Sequence, residues 1–227
     1  MKPVVVAIDG PAGAGKSTVS RMLARRLGYR YVDTGAMYRV IGLLAAREGI
    51  PPDDAQRLAE LCRRTRIEFR EGPDGAMHVL ANGEDVTAAI RTAEVAQWAS
   101  KTSAVPEVRA CLVAQQREMG RDGGVVMEGR DIGTVVFPEA EVKVFLDASA
   151  LERARRRAAE LHREVTEAEI EKVAREIAER DERDRNREHA PLRPAADAIL
   201  VDTTDRTVDE IVQMLYQVVC ERASARA

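Results

Sequence analysis

The glycine-rich segment that begins at Gly10 constrains the fold more than any other part of the chain. It reads Gly-Pro-Ala-Gly-Ala-Gly-Lys-Ser and matches the pattern GxxxxGK[ST] in full. A short apolar run, Pro3 to Ile8, precedes it, and residues 16–27 follow with apolar side chains at helical spacing. A strand, a glycine-rich loop and a helix in this order are the setting in which the pattern binds a phosphate chain.

The chemistry of this segment predicts binding of a nucleoside triphosphate. Glycines let backbone N–H groups approach phosphate oxygens closely, and the N-terminus of the helix adds a positive field. Lys16 is expected to reach the β- and γ-phosphates, and the Ser17 hydroxyl to bind Mg²⁺. The alternative is a flexible Gly-Ala turn without a ligand. The residues assigned to the nucleotide are Gly10, Pro11, Ala12, Gly13, Ala14, Gly15, Lys16, Ser17 and Thr18.

Strand-like and helix-like segments alternate along most of the chain, which predicts an α/β domain with a parallel sheet. Short, nearly continuous apolar runs are typical of strands buried on both faces. The predicted strands cover residues 3–8, 29–33, 125–128, 142–146 and 199–201. The predicted helices cover residues 16–27, 36–48, 149–163, 167–188 and 207–222, with Gly28 as the C-cap of the first.

Residues 66–86 depart from this alternation. Apolar residues here alternate with polar ones, and Gly72-Pro73-Asp74-Gly75 and Asn82-Gly83 are strong turn signals. We interpret the segment as a small antiparallel sheet inserted into the α/β core.

Composition limits the cellular setting and the partners. The net charge of −3 gives no strong field for nucleic acid or anionic membrane, and 45% apolar residues exclude a disordered chain. Three scattered cysteines and three scattered histidines favour neither disulfides nor a metal site of their own. No signal-like or membrane-length apolar segment is present, so we expect a cytoplasmic protein that acts on a small molecule, and we expect a monomer.

Two strand ends supply candidate residues for the second substrate. The strand at 29–33 leads into Thr34, Tyr38 and Arg39, and the strand at 125–128 leads into Arg130 and Asp131. Ligands of an open α/β sheet bind beyond the carboxyl ends of its strands, so these side chains are expected near the phosphate loop. Arg130 suits a phosphate, and Asp131 suits a Mg²⁺-bound water or an acceptor hydroxyl. The alternatives are ordinary helix-start chemistry at Thr34 and a tight turn with a surface ion pair at Arg130.

The predicted helix at 167–188 changes character along one face. Its apolar stripe is Ile170, Val173 and Ile177, and the same phase continues into Arg180, Asp184 and Arg187. Ionisable groups on a face that packs inward are costly unless they are paired or bind a ligand. We therefore predict that the second half of the helix lines a cleft, the alternative being a helix that overruns the domain edge.

Arg153 and Arg157 share a face of the preceding helix because they are four residues apart. They are candidates to stabilise charge on a phosphoryl group in transfer, as arginine fingers do. Arg155 and Arg156 beside them leave a plain basic surface as the alternative.

Taken together, these motifs resemble the bacterial cytidylate kinases, a family of nucleoside monophosphate kinases. The resemblance covers nearly the whole chain. It rests on IDGPAGAGKST at 8–18, DTGAMYR at 33–39, GEDVTAAIRT at 83–92, EGRDIGTVVFP at 128–138, FLDAS at 145–149 and RDERDRNREHAPL at 180–192.

The resemblance implies a three-layer P-loop kinase fold with a five-stranded parallel sheet, a short helical lid and an inserted NMP-binding domain. Residues 1–34 and 105–227 would form the core with the lid around 152–165, and residues 35–104 the NMP-binding region with its antiparallel insertion at 66–86. The implied acceptor site consists of Thr34, Tyr38, Arg39, Ser100, Arg109, Arg130, Asp131, Arg180, Asp184 and Arg187. Ser100 and Arg109 rest on the resemblance alone.

The implied reaction transfers phosphate from ATP, with Mg²⁺, to CMP and dCMP, without a covalent intermediate. Lys16, Arg130, Asp131, Arg153 and Arg157 are the catalytic candidates. Closure of the lid and the acceptor domain would exclude water. Two alternatives stay open: a kinase for shikimate, gluconate or dephospho-coenzyme A on the same scaffold, and an ATP-dependent nucleic-acid-binding or switch protein.

Overall fold

The computed structural model describes residues 2–72, 75–161 and 165–225. Pro73 and Asp74 of the predicted turn lie outside the described residues, as do His162 and the rest of 162–164 in the predicted lid. Contacts divide the chain into two compact units, Met1–Tyr31 with Gly120–Ala227, and Val32–Met119. The predicted domain limits at residues 34 and 105 stay a prediction. The division by contacts places all but the last residue of the helix Pro106–Gly120 in the second unit.

The first unit contains the parallel sheet, apart from the last two residues of β2. The strands are β1 (Val5–Asp9), β2 (Arg30–Asp33), β6 (Val125–Gly129), β7 (Val142–Asp147) and β8 (Ile199–Asp202), in the order β2-β6-β1-β7-β8. β1 pairs in parallel with both β6 and β7, and β7 pairs in parallel with β8. Every residue of β1 and β6 is buried, as their apolar runs predict. The predicted five-stranded parallel α/β sheet is therefore confirmed.

The helices of this unit are α1 (Lys16–Leu27), α6 (Ala150–Leu161), α7 (Glu167–Arg185) and α8 (Val208–Ser224). α1 ends at Gly28, whose φ of 67° is the left-handed conformation expected of a glycine C-cap. Thr207 and Glu210 form a reciprocal capping box that starts α8. α7 ends at Arg185, three residues before the predicted end at 188. Among the described residues, no helix has the length and apolarity that crossing a bilayer demands.

The second unit combines helices with a small antiparallel sheet. Its elements are α2 (Thr34–Arg47), α3 (Ala55–Arg64), β3 (Ile67–Glu71), β4 (Met77–Ala81), β5 (Glu84–Asp85), α4 (Ala93–Thr102) and α5 (Pro106–Gly120). The strands run antiparallel in the order β3-β4-β5, as predicted for 66–86. Asn82 and Gly83 have φ values of 51° and 87°, which suit the tight turn between β4 and β5.

Helix α2 starts two residues earlier than its apolar periodicity predicts. The Asp33 carboxylate accepts a hydrogen bond from the backbone N–H of Ala36 at 3.0 Å and is the N-cap. Thr34 is therefore the first helical residue and is buried. The alternative in which Thr34 itself caps the helix is wrong, because the aspartate before it satisfies the free N–H group.

Candidate functional site

The phosphate loop, Gly10 to Ser17, connects β1 to α1 in the first unit and includes the first two residues of α1. A side chain at Gly10 would overlap the carbonyl oxygen of Leu146, so the start of the loop lies directly on the β7 backbone. On the other side, Thr203 Oγ1 donates to the carbonyl of Ala14 at 3.2 Å, and Arg156 Nη1 donates to that hydroxyl at 2.9 Å. The loop is thus fixed from β7 and from the segment after β8.

Lys16 lies in this loop as a nearly buried cation. Its Nζ donates to the carbonyl of Pro11 at 2.6 Å, and the residue is 7% exposed. Burial, followed by the neighbouring charge of Arg130, lowers the pKa of Lys16 to about 7, although Glu128 opposes the shift. A buried ammonium beside a guanidinium is stabilised by an anion, which is the chemistry of a phosphate site.

Asp9, at the end of β1, holds the turn that follows β6. Its two carboxylate oxygens accept the backbone N–H groups of Ile132 and Gly133, each at 2.8 Å. Burial is the main cause that raises the pKa of Asp9 to about 6, and these two hydrogen bonds oppose the rise. The turn that presents Arg130 and Asp131 is therefore anchored to the strand that presents the phosphate loop.

Glu128 and Ser17 place two oxygen ligands together at the start of α1. The Ser17 hydroxyl donates to Glu128 Oε2 at 3.1 Å, and the Tyr31 hydroxyl donates to Glu128 Oε1. Glu128 is buried at the end of β6. Mg²⁺ in kinases takes one or two protein oxygens together with waters and phosphate oxygens. A serine hydroxyl beside a buried carboxylate, next to Lys16, fits that donor set.

Three arginines surround one carboxylate between β6 and α7. Asp184 Oδ2 lies 3.1 Å from Arg130 Nε and 4.0 Å from Arg180 Nε, and Oδ1 lies 3.8 Å from Arg187 Nη1. Asp184, Arg130 and Arg187 have side chains that are 16%, 20% and 15% exposed. Three guanidinium groups converge on this carboxylate, so this arginine cluster (Arg130, Arg180, Arg187 with Asp184) is suited to an anion. The structure thus brings together four residues that the sequence predicted for one site.

Arg153 and Arg157 of α6 have different surroundings. Arg153 is 7% exposed and donates to main-chain carbonyls and to Asp181, whereas Arg157 pairs with Glu160 over 2.7 Å near the surface. The sequence-based expectation that both residues face the transferring phosphoryl group stays a prediction.

The remaining predicted acceptor residues belong to the second unit. Thr34, Tyr38 and Arg39 lie on the first two turns of α2, Ser100 on α4 and Arg109 on α5. The guanidinium of Arg109 lies 5.8 Å from the centre of the Tyr38 ring, in the range of a cation–π contact. Helices α2 and α4 pack closely, because a Cβ at Gly42 would lie 2.7 Å from the backbone nitrogen of Ala99. Within this unit, Tyr38 and Arg109 form one cluster.

Sequence reasoning missed Asp181 and the structural role of Asp9. Asp181 is 2% exposed and lies four residues after Ile177, so the apolar stripe of α7 continues into it as well as into Arg180. A test of both spacings, three and four, would have found it. Asp9 had no signal beyond its place at the end of a buried strand.

The family model and the curated relatives that match this chain name the same family. Residues 6–221 match the sequence model of the family described as cytidylate kinase. A cytidylate kinase from a Geobacter species is 52% identical over 220 residues, which are 96% of this chain and 94% of that protein. One from Syntrophotalea carbinolica is 50% identical over 221 residues, 97% and 94% of the two chains. A solved shikimate kinase from Acinetobacter baumannii, in complex with shikimate, is 15% identical, with a TM-score of 0.49, over 96% of this chain and 94% of that one.

Proposed function

The chain belongs to the cytidylate kinase family, and on that premise we propose that it transfers the terminal phosphoryl group of ATP to CMP and dCMP. The products are ADP with CDP or dCDP, within pyrimidine nucleotide metabolism. The observation that carries the proposal is the family match over residues 6–221. The phosphate loop and the arginine cluster supply a physical basis for it.

The proposed donor site is the phosphate loop. Residues Gly10 to Thr18 hold the phosphates of ATP through backbone N–H groups and the Lys16 ammonium. Ser17 and Glu128 would hold Mg²⁺ through their oxygens, which lie 3.1 Å apart. A bound Mg²⁺ would neutralise part of the charge on the phosphate oxygens. Burial and the neighbouring Arg130 lower the pKa of Lys16 to about 7. A bound anion would raise this pKa again, so Lys16 is fully charged in the complex.

The proposed acceptor residues fall into two groups. The arginine cluster binds the phosphate of CMP, because guanidinium groups pair with phosphate oxygens in a planar, bidentate way and three of them converge here. Asp131 is buried and follows Arg130 directly, so it is a candidate to accept from a hydroxyl or a bound water. Thr34, Tyr38, Arg39, Ser100 and Arg109 are the proposed nucleoside-binding residues of the second unit.

Preference for cytosine follows from hydrogen-bond chemistry. Cytosine has an exocyclic amine donor where uracil has a carbonyl acceptor, and Asp184 or Ser100 is proposed to accept from that amine. With uracil, a carboxylate would face a carbonyl and lose its partner, at a cost of roughly 1–3 kcal/mol. A preference of about ten-fold or more for cytosine is expected.

The proposed transfer is direct and in line. An oxygen of the CMP phosphate forms a bond to the γ-phosphorus of ATP while the bond from that phosphorus to the bridging oxygen of ADP breaks. No enzyme group becomes phosphorylated. Lys16 stabilises the charge on the moving group, Arg157 is a further candidate for that role, and Arg130 aligns the acceptor phosphate.

The proposed setting is the cytoplasm, with the enzyme acting as a monomer on small molecules. Cys62, Cys111 and Cys220 are free thiols, which suits a reducing compartment.

An ADP-release assay with ATP and Mg²⁺ and a panel of acceptors tests the proposal. The panel contains CMP, dCMP, UMP, AMP, shikimate and a sample without acceptor. We expect fast release with CMP and dCMP, slow release with UMP and almost none without acceptor. ADP release only with shikimate or another non-nucleotide would leave the role of the phosphate loop intact and refute the assignment of the acceptor site to CMP. ADP release at the same rate with and without an acceptor would indicate an ATPase or a switch protein.

A further inference from the structure

The buried side chain of Arg153 makes several polar contacts within the protein. Its Nε donates to the carbonyl of Ala148 at 3.2 Å, and its Nη1 donates to the carbonyl of Ala12 at 3.1 Å. The same Nη1 donates to Asp181 Oδ2, and Nε lies 3.8 Å from Asp147 Oδ1. Ala12 belongs to the phosphate loop, so the side chain of Arg153 joins that loop to β7 and α7.

The main chain of Arg153 contacts the same loop. Gly13 has a φ of 77°, and a Cβ there would lie 2.6 Å from the Arg153 carbonyl oxygen and 3.0 Å from its Cα. The first turn of α6 therefore lies directly against the middle of the phosphate loop. Ala12 also packs against an apolar cluster of Ala158, Val173 and Ile177 from α6 and α7.

Asp181 supplies the negative charge that balances the buried Arg153 guanidinium. It is 2% exposed, and its Oδ1 has no hydrogen-bond partner among the described residues, so its pairing with Arg153 carries most of its charge compensation. On α7 it directly follows Arg180 and precedes Asp184 by less than one turn. The helix that carries Arg180 and Asp184 is thus linked through one ion pair to Arg153, which donates to the carbonyl of Ala12.

We propose that Arg153 and Asp181 are a buried positioning pair that fixes the phosphate loop to α7, and so sets the distance between the bound donor nucleotide and Arg180 and Asp184. The inference rests on the proposed function for its kinetic consequences. It assigns Arg153 to holding the Ala12 carbonyl in place of touching the transferred phosphoryl group. The role of Asp181 is to hold the Arg153 guanidinium in that position.

A double substitution separates positioning from stability. Arg153→Met with Asp181→Leu removes both charges together and keeps similar volumes, so no unpaired charge is buried and the fold is expected to survive. The Ala12 carbonyl then loses its donor, and the loop loses its fixed position. We expect a cooperative unfolding transition close to that of the parent protein, a dissociation constant for ADP raised about 10-fold, and kcat/KM for CMP lowered by roughly 10- to 100-fold.

Arg175→Met with Glu171→Leu is the matched control. This pair lies on the same helix, with Nη1 and Oε2 3.9 Å apart, but the side chains are 70% and 74% exposed. The control is expected to leave ADP binding and turnover unchanged. Titration calorimetry with ADP and Mg²⁺ needs no acceptor, so it tests the positioning pair even if CMP proves not to be the acceptor. Parental ADP affinity and turnover in the Arg153/Asp181 double variant would overturn the proposal.

Asp181→Asn gives a second, independent measurement. It keeps the shape of the side chain and weakens the pairing with Arg153, so we expect raised KM values for both ATP and CMP at a smaller loss of kcat. A purely structural role would lower the unfolding midpoint and leave both KM values at the parental level. If neither Asp181→Asn nor the double variant unfolds cooperatively, the pair is required for folding and the positioning proposal is wrong.

Discussion

Arg130 and Asp184 form an ion pair over 3.1 Å that joins the residue after β6 to the last turn of α7. Neither residue is near the other in sequence, and each is predicted from a different local pattern. Arg180 and Arg187 approach the same carboxylate, at 4.0 and 3.8 Å. Asp184 therefore orders three guanidinium groups, and its removal tests the acceptor site directly.

Asp184→Ala is expected to weaken CMP turnover and to narrow its advantage over UMP. The three arginines lose the charge that holds them, and cytosine loses a proposed acceptor, so kcat/KM for CMP should fall by roughly 10-fold or more. Initial rates with CMP and UMP give both quantities. Glu176→Ala, at an exposed position of the same helix, is the control. A CMP/UMP ratio equal to that of the parent enzyme would remove Asp184 from base recognition.

Lys16→Met is expected to abolish most phosphoryl transfer and to leave the fold intact. The ammonium donates inside the phosphate loop and is buried at a cost, so its loss removes charge stabilisation without breaking an ion pair. Removal of one such stabilising group costs about 100- to 1000-fold in kcat. ADP release and a thermal unfolding scan measure the two effects. Turnover at the parental rate would refute the role assigned to Lys16.

Binding of ADP at pH 8 is expected to take up protons. The pKa of Lys16 is lowered to about 7 without ligand, so much of this side chain is a neutral amine at pH 8. A bound phosphate raises that pKa and restores the charge, so affinity should fall as pH rises from 7 to 9. Calorimetry in buffers with different ionisation enthalpies gives the proton count. Equal uptake in Lys16→Met would assign the effect to another group.

Gly42→Ala is expected to destabilise the second unit. A Cβ at this position would lie 2.7 Å from the Ala99 nitrogen and 3.1 Å from Trp98, so α2 and α4 must separate. Overpacking of this kind costs about 1–3 kcal/mol, which outweighs the gain in helix propensity of roughly 1 kcal/mol. Denaturant unfolding measures the change. A more stable variant would show that the two helices separate without cost.

Much of the donor site and of the fold was predictable because its signals are local. Gly10 to Ser17 match one pattern between a strand and a helix, and the buried strands are short apolar runs. The turn at Asn82-Gly83 and the glycine C-cap at Gly28 depend on backbone conformations that few residues adopt. Nearest neighbours in sequence determine each of these features.

Asp181 illustrates what local spacing leaves open. In a helix, positions three and four residues after Ile177 lie roughly 60° to one side of it and 40° to the other. The sequence therefore favours Arg180 and Asp181 almost equally, and the periodicity led to Arg180. Burial distinguishes them, because Asp181 meets Arg153 of α6.

The sequence alone thus determined the phosphate loop, the α/β class and the residue types that suit a phosphorylated acceptor, because those properties follow from local periodicity and backbone preference. Tertiary structure decided which polar and charged groups meet. Asp9 bonds to Ile132 and Gly133, Glu128 to Ser17, and Arg153 to Asp181. These contacts join segments that the strand order and the packing of α6 against α7 bring together, and a local sequence pattern does not give the distance between such segments.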